Sequence, residues 1–160
     1  MSNLVELSMY QISQLFLLPT LALIAALFLY AFWVLGEFIV LAQRRRSGKG
    51  RLLLNHFRQQ PGLSDDQLDV FAHTLLENPR IASRVTPMLG LVATMIPMGP
   101  ALKSLSDGNL ADVSHNLTIA FSAVILALIA ASITYWVVNV RRRWLAEEIL
   151  EVHALRGVSA

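Results

Sequence analysis

Three uncharged apolar runs, each long enough to cross a lipid bilayer, constrain this chain more than any other feature. They are residues 19–36, with apolar character continuing past Glu37 to Ala42, then residues 85–102, and residues 117–140. At 1.5 Å per residue, a hydrocarbon core about 30 Å thick takes roughly 20 apolar residues in helical form. None of the runs shows the period-two alternation of a membrane barrel strand. The first lacks a basic leader and is too long for a cleavable signal peptide. Composition agrees: 55% of residues are hydrophobic and 15% charged, whereas soluble domains carry about 25% charge. Such a chain can be neither a water-soluble globule nor an intrinsically disordered segment. It has no cysteine, which excludes thiol chemistry, disulfides and cysteine-bound metals.

The basic residues predict orientation. Arg44, Arg45, Arg46, Lys49, Arg51, Arg58, Arg80 and Arg84 fall between the first two runs, and Arg141, Arg142, Arg143 and Arg156 follow the third. The segment between the second and third runs holds Lys103 alone, and none precedes the first. The positive-inside rule then places the middle loop and C-terminus in the cytoplasm and the N-terminus outside. The pI near 9.4 is accounted for by topology and contact with anionic headgroups. The arginine triplets sit at helix ends without aromatic interleaving, so no nucleic-acid partner is expected.

The expected organisation is an all-α membrane protein with three transmembrane helices. Residues 1–18 form an outer amphipathic segment, a short helix lying at the interface. The first span covers 19–42, the cytoplasmic loop 43–84, the second span 85–102, a short outer loop 103–116, the third span 117–140 and a helical cytoplasmic tail 141–160. Within the loop, Pro61-Gly62 predicts a turn, and Ser64-Asp65-Asp66-Gln67 a capping box. Leu68, Phe71, Ala72, Leu75 and Leu76 give a short amphipathic helix. Asn78-Pro79 suits the start of another helix running into the second span.

Nothing in the sequence supports an enzyme, a cofactor or a metal site. His56, His73, His115 and His153 are far apart and lack partners at metal spacing. Glu147, Glu148 and Glu151 read as a solvated face paired with Arg142 or Arg143. Glu37 is the one acid within a span, near its basic end, where snorkelling to the interface or pairing with Arg44 or a neighbour's arginine is expected. The informative residues are small or polar ones inside the spans. Gly90, Thr94, Pro97 and Ala101 share one helix face. Ala120, Val124, Ala127 and Ala131 share another, with Thr118, Ser122 and Ser132 roughly opposite. Small faces let helix backbones approach closely in lipid. Such faces serve either tight packing, with hydroxyls bonded to the preceding turn, or a space shared with a partner helix that Thr94 contacts.

The stretch Thr86-Pro87-Met88-Leu89-Gly90-Leu91-Val92-Ala93-Thr94-Met95-Ile96 resembles the Pro-x-x-Gly-Leu-x-Gly-Thr signature of the MotA/TolQ/ExbB proton channel family. Residues 117–139 resemble that family's last helix, and the topology agrees. The resemblance implies a pentameric ring in the cell's inner membrane around two copies of a single-span partner similar to MotB, TolR or ExbD. It also implies that the partner's aspartate takes the proton and that the work drives a motor or stator. Thr94 takes the family's second-helix threonine position, and Gly90, Pro97, Ala101, Ala120, Val124, Ala127 and Ala131 become the pore- or partner-facing wall. Ala93 replaces a glycine. Aligned through Asn139, a second threonine falls on Val124, an acid of some branches on Ile119, and a usual glycine on Ala127. Thr118 and Ser122 join the ion pathway if the third helix is rotated relative to that alignment. The alternative is a non-conducting membrane scaffold of the same fold that recruits partners, which Val124 and Ile119 favour.

Overall fold

A computed structural model describes residues 2–48, 50–59 and 64–158 of the chain. The described residues form five helices: α1 (Ser2–Leu15), α2 (Leu17–Arg46), α3 (Leu52–Gln59), α4 (Asp65–Ser106) and α5 (Leu110–Val158). The fold is all-helical, and α2, α4 and α5 are long and apolar enough to cross a membrane. The expected turn at Pro61-Gly62 lies outside the described residues. The chain divides into two compact units, Met1–Ala31 with Ser83–Ser132 and Phe32–Ala82 with Ile133–Ala160. The three long helices each contribute to both.

In the first unit, α1 and α2 are separated only at Phe16. Thr20 donates its backbone N–H and its hydroxyl to the Phe16 carbonyl, at 3.1 and 2.7 Å. Pro19 is the third residue of α2, inside the first turn, where its missing N–H costs no intrahelical bond. Farther along, Pro100 deprives the Ile96 carbonyl of its usual donor four residues on. The Gln14 amide of α1 donates to that carbonyl at 3.1 Å. Beside it, a Cβ on Gly99 would lie 3.4 Å from the Tyr10 ring. The N-terminal helix is therefore docked on α4 at the site where a proline has opened the backbone ladder.

Residues 103–116, expected as a loop, are helical except at 107–109. Gly108 adopts a positive φ of 75°. Its N–H donates to the Leu105 carbonyl at 3.1 Å and the Asn109 N–H to Ser104 at 2.9 Å, the paired bonds of a Schellman stop. Asn109 then caps α5: its side-chain carbonyl accepts the Asp112 N–H at 3.3 Å, and its amide donates to the Asp112 carboxylate at 2.6 Å. This tight reversal, absent from the hydropathy pattern, sets α4 antiparallel to α5.

α4 runs unbroken through Pro79, Pro87, Pro97 and Pro100, so Asn78-Pro79 does not start a new helix. The capping box at Ser64 starts it instead. Ser64 N–H donates to Gln67 Oε1 at 3.0 Å, and Gln67 N–H to Ser64 Oγ at 3.3 Å.

The second unit has an ordinary apolar core. Leu53 and Leu54 of α3, Leu68, Ala72 and Leu76 of α4, and Leu145 and Val152 of α5 are buried together. At its edge Glu147 and Glu151 form the exposed face expected of the acidic cluster, and Glu148 departs from it. Glu148 is 2% exposed and accepts from Arg45 Nη1 at 2.6 Å and from the Leu53 backbone N–H at 2.8 Å. Arg45 Nη2 also donates to Glu147 at 2.9 Å, while its guanidinium lies 5.1 Å from the Trp144 ring. Arg51 pairs with Glu151, and Arg143 reaches Glu147 at 3.9 Å. Glu37 meets Arg141 of the same chain at 3.5 Å, rather than Arg44. Phe38 stacks on Trp144 and meets Trp136 edge-on, both at 5.1 Å. A Cβ on Gly50 would come within 2.6 Å of the Arg45 nitrogen, so the chain can fold back against the end of α2 only with glycine there.

Removing one partner of a buried ion pair strands the other charge, at about 3 kcal/mol or more, whereas exposed pairs are worth under about 1 kcal/mol. Glu148→Ala is expected to lower the thermal unfolding midpoint in detergent clearly, and Glu147→Ala, half exposed, only slightly. Equal small shifts would contradict the assignment of Glu148 as the fastening point.

Candidate functional site

The best-defined feature of the first unit is the contact between α4 and α5. A Cβ added to Gly90 would sit 2.9 Å from Ala127 Cβ and 3.6 Å from Val124 Cγ2. Two helices approach this closely only where neither presents a bulky side chain. Ala93 and Ala127 are fully buried, with Ile24 and Ala123 beside them and Leu21 and Leu89 packed against the cluster. Pro97, Ala101, Ala120 and Ala131 are buried as well. Of the two uses expected of these small faces, tight packing is the one seen within the chain: Gly90 faces Ala127 of its own α5. Of Gly90, Pro97, Ala101, Ala120, Val124, Ala127 and Ala131, Val124 alone is partly exposed.

The contact has two flanks, distinguished by rotation at about 100° per residue. Ala93 of α4 and Ala123 of α5 turn toward Ile24 of α2. Thr94 lies on the other side of Gly90 from Ala93, and Val124 on the other side of Ala127 from Ala123. Thr94 and Val124 therefore border the contact on the flank away from α2. Thr94 is half-buried, and its hydroxyl donates to the Leu91 carbonyl at 2.7 Å. That bond occupies the hydrogen and leaves the oxygen lone pairs to accept.

Thr118 and Ser122 occupy a different place. With His115, Ile119, Ala123 and Leu126 of α5 and Leu21 and Ile24 of α2 they line an open groove of about 350 Å³. Thr94 does not line it. Of the three predicted ion-pathway hydroxyls, the structure brings Thr118 and Ser122 together and leaves Thr94 on the opposite flank. α5 has the rotation that puts Val124, not Thr118, beside the Gly90 contact. Thr118 donates to Ser114 at 2.8 Å and Ser132 to Leu128 at 2.8 Å, as hydroxyls in lipid-embedded helices do when their own helix supplies the acceptor.

Residues 85–102 and 117–140 contain no charge, and no group of three metal-ligating side chains occurs among the described residues. Sequence reasoning missed three contributors. His115 joins Thr118 and Ser122 at helical spacing, a signal hidden because the apolar run begins only at Leu117 while α5 begins at Leu110. Gln14 could have been sought as the donor that Pro100 calls for. The burial of Glu148 left no trace in its neighbours, since Glu147 and Glu151 look the same in sequence and are exposed.

A chain whose long apolar helices carry no charge through two spans, joined by side-chain-poor contacts, is a multi-pass membrane protein. The model of the MotA/TolQ/ExbB proton channel family matches residues 73–154, half of the chain, including the Pro87–Thr94 motif and most of α5, and the chain belongs to that family. No curated protein and no solved structure matches it.

Gly90→Leu is expected to abolish folding, seen as loss of the native band in detergent. Gly90→Ala should lower the unfolding midpoint, and adding Ala127→Gly should restore most of it. A double variant no more stable than Gly90→Ala would contradict direct contact at this pair.

Proposed function

We propose that the chain is the ring-forming subunit of an ion-motive-force-driven motor or stator in the inner membrane. Five copies would surround two copies of a single-span partner resembling MotB, TolR or ExbD, with the N-terminus outside and the C-terminus in the cytoplasm. The observation that carries this is the family match across α4 and α5, which spans the Gly90–Ala127 contact and the flank bearing Thr94. No acid lies within the spans of these two helices, so the group that takes the proton belongs to the partner, as an aspartate in its span. One charge crossing the membrane is worth about 2.3 kcal/mol per 100 mV. Protonation neutralises the partner's carboxylate, and Thr94 Oγ1 can then accept its hydrogen. A bond of this kind is worth about 1 kcal/mol in membrane helices. Repeated protonation steps the ring around the partner pair, and the cytoplasmic unit transmits the motion.

Val124 favours a second reading, a non-conducting scaffold of the same fold. It puts methyl groups on the flank where the family resemblance places a second threonine, leaving one hydroxyl per subunit there.

Thr94→Val keeps the shape and removes the acceptor. In vesicles holding the complex with its partner, proton uptake is expected to fall about fivefold, the equivalent of about 1 kcal/mol, while native mass spectrometry shows an intact ring. Unchanged uptake would reject the role of Thr94, and no uptake by the unaltered complex would favour the scaffold.

A further inference from the structure

The groove between α2 and α5 belongs to neither the α4–α5 contact nor the Thr94 flank. Its α5 wall carries His115, Thr118 and Ser122, a polar stripe at helical spacing, faced by Leu21 and Ile24. Seven residues at 1.5 Å separate His115 from Ser122, so the stripe descends about 10 Å along the helix. It begins at the sixth residue of α5, less than two turns past the Asn109 cap. Leu126, one turn below Ser122, is the deepest lining residue and offers no polar group. Asp112, the acid nearest the top, is held by Asn109.

We propose that this groove is a water-filled vestibule, open at the loop-107–109 end, that carries water and protons from the outer side to the level of Ser122. A space of about 350 Å³ holds on the order of ten waters at about 30 Å³ each. Water enters a cavity where it finds two to four polar partners, and the stripe supplies one protein group at each level, with neighbouring waters as the others. His115 offers a ring donor and acceptor at the mouth. The Thr118 hydroxyl, its hydrogen given to Ser114, accepts through its lone pairs. Ser122 both donates and accepts at the floor. A lipid chain in the same place would leave His115 and Ser122 facing hydrocarbon, which costs free energy. The use of this water to feed the partner's carboxylate rests on the motor reading above, but the hydration of the groove does not.

The chain has no cysteine, so single cysteines can be probed without background. A membrane-impermeant, charged methanethiosulfonate reacts with the thiolate, which forms in water and not in lipid. Added outside intact cells, it is expected to modify His115→Cys, Thr118→Cys and Ser122→Cys at least tenfold faster than Phe121→Cys. Phe121 is exposed at the same depth but lies about 100° around α5 from Ser122. Each variant must keep the native-gel mobility of the unaltered protein. Cysteines at 118 and 122 as slow as the one at 121 would overturn the proposal, whether or not 115 reacts, and would mean that lipid or a neighbouring helix fills the groove. Modification from the cytoplasmic side alone would overturn it equally. In vesicles with the partner, modified Ser122→Cys is expected to take up protons at least tenfold more slowly than its unmodified form. Uptake that continues at the original rate would refute the delivery role, while an unaltered complex that takes up none would count against the motor and leave the labelling result to decide the vestibule.

Discussion

The absence of side-chain bulk where α4 meets α5 is the constraint on which the membrane part of this protein depends. Inside lipid the hydrophobic effect does not drive helices together, so dispersion at close approach and the few available hydrogen bonds must do it. Gly90 against Ala127 gives that approach its closest point. The contact also fixes the rotation of both helices, and rotation decides what lies on each flank. Thr94 and Val124 border one side, and Thr118, Ser122 and His115 line the groove on the other. One pair of small residues thereby separates two surfaces of different chemistry.

Elsewhere the fold compensates for features that would otherwise weaken it. Four prolines lie within α4, and each removes a backbone donor. Membrane helices tolerate this where another group takes over the freed carbonyl, as Gln14 does for Ile96. The second unit uses different physics: an apolar core with Glu148 at its edge, held by a guanidinium and a backbone N–H. A carboxylate so buried is specific to its position, because it is tolerable only with both donors in place.

The sequence revealed the parts governed by composition and short-range pattern. The three apolar helices follow from the lengths of the uncharged runs, and the start of α4 from the Ser64 capping box. The family follows from the Pro87–Thr94 motif. Helix ends were less legible, since hydropathy marks where a helix becomes polar and not where it stops. The apolar run ends at Leu102, yet α4 continues to Ser106, and α5 begins at Leu110, before its own run. Pro79 read as a helix start because propensity knows nothing of neighbours. The candidate site was legible as small faces suited to tight packing, but which helix each packs on was not. A small face fits its own hairpin partner as well as a foreign helix, and only rotation in three dimensions tells them apart.

In the proposed function a ring of these subunits encloses a carboxylate carried by a partner helix. Native mass spectrometry of the complex, extracted gently with whatever copurifies, tests that union most directly. The expected mass is five copies of this chain with two copies of a second, single-span polypeptide carrying an aspartate in its span. A lone subunit, or a ring containing only lipid, would contradict it.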